Sequence, residues 1–333
     1  MLNGIQILRA LAALCVVVFH SAIYLRSGQE LTPFVDFFTR GFNQGVALFF
    51  VISGFVLWPM GSKISPFKFL QRRLLRIYPP FLLCCFLALT FKWALHIGDF
   101  SFLETVKALT LLPFGPLPYP LAVEWSLVYE MFFYWVLFGL CFIAQDKVRK
   151  WLLLGWLFFL FACALVIPEA TVPLPNADEI ALSAISFPFV LGALSRIIFE
   201  SFRYQLVLPA SVRAILLALS LLSLTAAYFI KEPITYFFWG LGFAIVIFVA
   251  AIYSQEKPNT FLQVLARWGD CSYGTYLIHF QAIGLFVRVM QSSGLGVNSL
   301  FVSTAIFALV VGGCFGWAEF RFHRWMTTRQ AFQ

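Results

Sequence analysis

Charge is what this sequence lacks. Asp, Glu, Lys and Arg make up 11% of its 333 residues, against about 25% in an average soluble domain. So few charges cannot cover the surface of a water-soluble fold, and this overrides the expectation of about two soluble domains from length alone. A disulfide framework is also missing. The seven cysteines are odd in number, most lie in apolar runs, and Cys84 and Cys85 are adjacent. They read as packing residues of lipid-embedded helices. Zinc-type spacing, low-complexity tracts and short repeats are absent, and no metal is expected. No Lys or Arg precedes the first apolar run, and Arg9 falls inside it, which speaks against a cleaved signal peptide.

What is present is apolar. Hydrophobic residues reach 61%, and Phe alone occurs 41 times. A spanning helix needs about 20 mostly apolar residues. Continuous apolarity, punctuated by Pro, Gly and charge, predicts spans near 5–25, 42–60, 78–97, 121–144, 151–168, 181–199, 213–230, 236–253, 271–291 and 299–318. The expected fold is all-α, a polytopic bundle of about ten transmembrane helices. It forms a single domain over 1–333 with no soluble domain attached. With the N-terminus inside, only Arg26, Arg40, Lys92, Lys107, Lys231 and Arg288 of the 23 Lys and Arg fall outside. That bias predicts both termini in the cytoplasm. The net charge of +8 is then a topology signal, and no nucleic-acid partner is expected. The longest outer loops are read at about 26–41 and 98–120; the stretch "LLPFGPLPYP" in the second reads as irregular structure.

An ionisable residue inside a span is a functional hypothesis by default. The first span, "QILRALAALCVVVFHSAIYL", holds Arg9 and His20. At about 100° per residue the two share one helix face, about 16 Å apart along the axis. The alternative is that Arg9 snorkels to headgroups and His20 bonds a neighbouring helix. In "FFVISGF", Ser53 and Gly54 let a ligand or another helix come close. In "KFLQRRLLRIYPP", Arg72, Arg73 and Arg76 stand together, with Arg73 and Arg76 three apart on one face. Guanidinium forks suit phosphate oxygens, but they also suit acidic lipids. Glu130, within "VEWSLVYEMFFYW", lies too deep to reach headgroup water, so it must be paired, protonated or beside a wet cavity. By depth it is expected to meet His20. In "CSYGTYLIHF", Ser272, Tyr276 and His279 fall on one face. That stripe reads as one wall of a polar cavity, or as a set of interhelical hydrogen bonds. His96, His323, Asp270, Glu319 and Arg196 sit at span ends and are read as interfacial or terminal.

The order of these features carries more than any one of them. Arg and His in the first span come first, then FF-x-x-SGF, then RRxxRIYP, then W-S-L-x-x-E, then S-x-x-x-Y-x-x-H. This series resembles the acyltransferase 3 family over almost the whole chain. The resemblance implies a membrane enzyme that moves an acyl group, usually acetyl from cytoplasmic acetyl-CoA. The acceptor is a hydroxyl of a cell-surface polysaccharide or lipid-linked glycan. It also implies a bacterial inner-membrane location and the stand-alone type, similar to exopolysaccharide and Nod-factor acetylases. The family's key residues fall on Arg9, His20, Arg73, Arg76 and Glu130. CoA phosphates would meet Arg73, Arg76, Arg72 and Arg9. His20 would act as general base with Glu130 as its partner. Ser53, Trp125, Ser272, Tyr276 and His279 would line the acceptor side. Direct transfer and an acyl-enzyme both stay open, as does the oligomeric state. The rival reading is a glycolipid transporter with buried charges lining its path.

Overall fold

A backbone in lipid must satisfy its own polar groups, which leaves long apolar runs only the helix or the closed barrel. The computed structural model describes residues 3–26, 30–58, 64–94, 101–167, 171–202, 208–253, 260–290 and 292–330. Thirteen α-helices run in this order: α1 Asn3–Arg26, α2 Pro33–Gly41, α3 Gly45–Leu57, α4 Pro66–Ala94, α5 Phe102–Leu109, α6 Glu124–Leu140, α7 Asp146–Val166, α8 Phe187–Phe202, α9 Ala210–Phe229, α10 Thr235–Tyr253, α11 Thr260–Asp270, α12 Ser272–Met290 and α13 Val297–Gln330. A 3-10 turn at Ala184–Ser186 leads into α8. Among the described residues the extended structure is limited to a single bridge between Phe114 and Asn176. His96, Lys63, Arg203 and Lys257, weighed in the sequence, lie outside the described residues.

Among the described residues, eight segments are long and apolar enough to cross a membrane: α1, α2 with α3, α4, α7, the 3-10 turn with α8, α9, α10 and α13. The other two expected spans are α6 and α12. Helix α6 has only 17 residues, and α12 carries the polar stripe. Helix α6 buries Glu124 and Ser126, and α12 buries Ser272, Thr275, Tyr276 and His279, in the bundle.

The bundle has an apolar core, and unlike a soluble protein it is apolar outside as well. Large apolar residues such as Phe86, Phe158, Leu221 and Leu222 face outward. The buried residues of α9 are only Ser220, Ser223 and Ala227. Ser220 donates to the Gly242 carbonyl (2.9 Å) and Ser223 to the Phe238 carbonyl (2.7 Å), both on α10. Small polar residues at the seam and apolar ones outside are the arrangement lipid favours. This is an integral membrane protein. Helices α3 and α8 meet backbone to backbone: a Cβ on Gly54 would overlap the Phe189 carbonyl, and one on Gly192 the Val51 carbonyl. Gly54 is therefore a helix-packing residue.

Three differences from the expected spans matter. First, the loops expected outside at 26–41 and 98–120, and the connection before α12, hold the short helices α2, α5 and α11. Capping residues start two of them: Thr32 accepts from Val35 N and Ser101 from Glu104 N. Second, α4 begins at Pro66 rather than near 78, with Pro79 and Pro80 inside it. Prolines are tolerated there because neighbouring groups in a packed bundle can satisfy the freed carbonyls. Third, α13 continues to Gln330, well past 318.

The segment before α6 decides the site's geometry. Leu111, Leu121, Val123 and Glu124 are fully buried while Leu112 and Phe114 are exposed, so the 110–123 segment is anchored in the bundle at its two ends. Leu111 and Gly115 take positive φ there, in keeping with the expected irregular structure. Glu124 accepts from Leu121 N (2.6 Å). Lys92 (2.9 Å) and Gln281 (3.3 Å) both donate to the Pro120 carbonyl. Helix α6 thus starts well inside the protein, beside α12.

Candidate active site

Helix α1 is the axis of the site. It packs against α3, α10, α11, α12 and α13, and Arg9 and His20 mark two levels along it. Around Arg9 lies a cavity of about 270 Å³. Gln6 and Arg9 of α1 open onto it, with Ser53 of α3, Arg73 and Arg76 of α4, and Ser126, Glu130 and Tyr134 of α6. Asp270, Tyr273, Tyr276 and His323 complete its polar wall. Residues near the beginning of α1 and late in α13 line this one cavity, so the start of α1 and the last turns of α13 lie at the same end of the bundle.

The three cavity arginines are not equivalent. Arg76 donates to the Glu319 carboxylate and lies over the Tyr273 ring, 4.9 Å from its centroid. Arg9 and Arg73 make no hydrogen bond or ion pair with the described residues, and Nε of Arg73 is buried without a partner. Two guanidinium groups without a hydrogen bond to the described residues and one held in place face the same space. The acids beside them are engaged. Asp270 accepts from the Gln6 amide, and Glu130 accepts from the Tyr134 hydroxyl.

His20 sits at the other level. Its Nδ1 lies 3.0 Å from Nε2 of His279 and 3.1 Å from the Val16 carbonyl. The two imidazole centroids are 5.0 Å apart. Phe280 meets His20 edge-on at 5.6 Å. Nδ1 of His279 is 2.6 Å from the Tyr276 carbonyl. Between the two levels stands Tyr276. It lines the arginine cavity, its hydroxyl donates to the Val123 carbonyl (2.9 Å), and it is 2.5 Å from the Ser126 hydroxyl.

The sequence of the chain decides what kind of protein carries this site. The acyltransferase 3 model, described as an acyltransferase domain, matches residues 2–318. The chain belongs to this family. It is similar to the exopolysaccharide production protein ExoZ of Rhizobium meliloti (strain 1021), at 27% identity over 83% of this chain and 87% of the relative. It is also similar to the acyltransferase MdmB of Streptomyces mycarofaciens, at 28% identity over 92% of this chain and 87% of the relative. No solved structure matches. As a member of the acyltransferase 3 family the chain is an acyl-transferring enzyme embedded in the membrane, which sets the transporter reading aside.

Against that identity, the candidate residues sort by level. Arg9, Arg73, Arg76, Glu130, Ser53 and Tyr276 share the cavity. Arg72 is exposed and does not line it. Trp125 packs edge-on against Tyr129, and Ser272 is buried with an unpartnered hydroxyl; neither reaches the cavity. The expected pairing of His20 with Glu130 is not formed. Because α6 starts at the level of Tyr276, Glu130 lies about 6 Å further along the helix from Ser126, among the arginines. The partner His20 has is His279.

Several cavity residues of this acyltransferase were not singled out in the sequence. Gln6 stands one turn before Arg9 on the same helix face, a signal that was available. His323 lines the cavity and looked terminal because the last span was ended at 318; Glu319, which holds Arg76 without lining the cavity, looked terminal for the same reason. Asp270 looked terminal because the span after it was started at 271. Tyr134 follows Glu130 by one turn, and Tyr273 and Ser126 adjoin residues that were singled out.

Proposed function

We propose that this enzyme transfers an acyl group, acetyl in the first instance, from acyl-CoA to a hydroxyl of a cell-surface polysaccharide or a lipid-linked glycan. It would act as a single membrane domain in a bacterial inner membrane. The observation that carries the reading is the pair of guanidinium groups, Arg9 and Arg73, without a hydrogen bond to the described residues, facing one cavity at the end of the bundle where α1 begins. A CoA diphosphate supplies the oxygens such forks bind. The bias of Lys and Arg toward that end supports placing it in the cytoplasm, where acyl-CoA is found.

The reaction then runs from the arginine level to the histidine level. CoA phosphates rest on Arg9 and Arg73, while Arg76 adds a fixed positive charge. The pantetheine arm passes Tyr276 and delivers the thioester toward His20. His20 removes the proton of the acceptor hydroxyl as the oxygen attacks the acyl carbon. The new C–O ester bond forms, the C–S bond breaks, and the proton returns to the CoA thiolate as free thiol. The name of the exopolysaccharide relative supports a glycan acceptor for this chain.

The test is a deletion strain complemented with wild type or His20→Ala. Mass spectrometry of its surface glycans reads acetylation, and membrane abundance is checked alongside. Wild type is expected to restore acetyl groups and His20→Ala to leave the glycan bare. Normal acetylation by the variant would sink the mechanism. A glycan unchanged between deletion and wild-type strains would sink the acceptor assignment.

A further inference from the structure

We propose that His279 is a positioning residue: it holds His20 in the tautomer protonated at Nδ1, so that the lone pair of Nε2 is the base. The inference rests on the reading of His20 as general base, and concerns a residue that reading leaves unused.

The argument is a proton count along a short chain of contacts. Nδ1 of His279 lies 2.6 Å from the Tyr276 carbonyl. A carbonyl only accepts, so the proton of that bond belongs to His279 Nδ1. In a neutral imidazole the other nitrogen is then an acceptor. That nitrogen, Nε2 of His279, lies 3.0 Å from Nδ1 of His20. The Val16 carbonyl, also an acceptor, lies 3.1 Å from the same atom. Two acceptors converge on His20 Nδ1, so Nδ1 carries the proton and donates it. Nε2 of His20 makes no hydrogen bond with the described residues and keeps its lone pair.

The surroundings make this assignment firm. His279 is wholly enclosed, so water does not compete for its nitrogens. Tyr276, which supplies the fixed carbonyl, is itself tied to α6 through Val123 and Ser126. The acceptor chain is thus anchored at its far end to two helices. When His20 takes a proton from the hydroxyl, its Nδ1–H bond to His279 becomes charge-assisted and strengthens. That gain comes as the reaction proceeds, not on substrate binding, and such gains raise kcat. Orientation of a catalytic imidazole through its second nitrogen is a general device; here the orienting group is a second histidine where a carboxylate was expected.

The experiment has two arms. The first reads the tautomer directly. The chain holds four histidines, so 15N-histidine labelling of detergent-solubilised protein gives a resolvable spectrum. Wild-type His20 is expected to show a protonated Nδ1 and a bare Nε2. An Nε2–H tautomer, or rapid exchange between the two, overturns the proposal whether or not any variant folds.

The second arm follows CoA thiol release from acetyl-CoA in membranes that retain their own glycan. His279→Leu is expected to lower kcat by roughly 100-fold with KM for acetyl-CoA within about twofold. His279→Gln, which keeps an acceptor atom near the Nε2 position, should recover most of that loss. The double variant with His20→Ala should be no slower than His20→Ala alone. Equal rates for the Leu and Gln variants, or an unchanged kcat in the Leu variant, overturns the inference. A fully active His20→Ala would instead remove the base, and is told apart because it leaves the tautomer spectrum of wild type untouched.

Discussion

Arg76 is held from two sides, by the Glu319 carboxylate across 243 positions of sequence and by the face of the Tyr273 ring. The pair is nearly dry, with side-chain exposures of 17% for Arg76 and 2% for Glu319. Removing one partner leaves a buried charge without compensation, which costs about 3–5 kcal/mol. Arg76→Ala and Glu319→Ala are each expected to melt well below wild type in the same detergent. Arg76→Met with Glu319→Met should recover much of that loss. A double variant no more stable than the singles would show that the pair is not what ties α4 to α13.

Arg73 predicts the opposite behaviour. It makes no hydrogen bond or ion pair with the described residues, so Arg73→Ala is expected to melt within about 1 kcal/mol of wild type. Its effect should appear in donor binding. Loss of a charge-assisted contact worth roughly 1.5–3 kcal/mol weakens CoA binding by roughly 10- to 150-fold. Arg9→Ala should behave alike. Calorimetric titration with CoA measures both. Unchanged affinity in both variants would remove the phosphate assignment.

Glu130 stands with the arginines and not with His20. Glu130→Gln is therefore expected to change KM for acetyl-CoA more than kcat. It also keeps a carbonyl for the Tyr134 hydroxyl. A loss confined to kcat, as deep as that of His20→Ala, would return Glu130 to the acid–base chemistry.

The contact between α3 and α8 leaves no room for a side chain at Gly54 or Gly192. Overpacking of this kind costs about 1–3 kcal/mol, and here the obstacle is backbone, which cannot rotate away. Gly54→Val is expected to lower the melting temperature and the yield of monodisperse protein. Cys314→Val, at an exposed position on α13, is the matched control and should do neither.

The sequence made the membrane class and most of the Arg9 level legible, because few charges and an ordered set of motifs both survive without coordinates. Depth did not survive. Counting residues inward from a presumed surface placed Glu130 beside His20. That count assumed α6 starts at the membrane surface, whereas Leu121, Val123 and Glu124 at its start are already fully buried. The prolines misled in the same manner: Pro79 and Pro80 look like a helix start, yet they lie within α4. The His20–His279 contact joins residues 259 apart in sequence. Only the polar face shared by Ser272, Tyr276 and His279 hinted at it.

Helix α13 sets the level of the charges relative to the lipid. From Val297 to Glu319 it rises about 33 Å at 1.5 Å per residue, close to the roughly 30 Å thickness of a bilayer's hydrocarbon. If Val297 meets one edge of the hydrocarbon, the Arg76–Glu319 pair meets the other. The arginine cavity then sits at the seam between tails and headgroups, where guanidinium groups are tolerated and a water-soluble thioester can arrive without entering oil. A thicker bilayer would draw that seam past the arginines. Hydrophobic mismatch, which the fold itself would survive, then becomes a direct influence on access to the site.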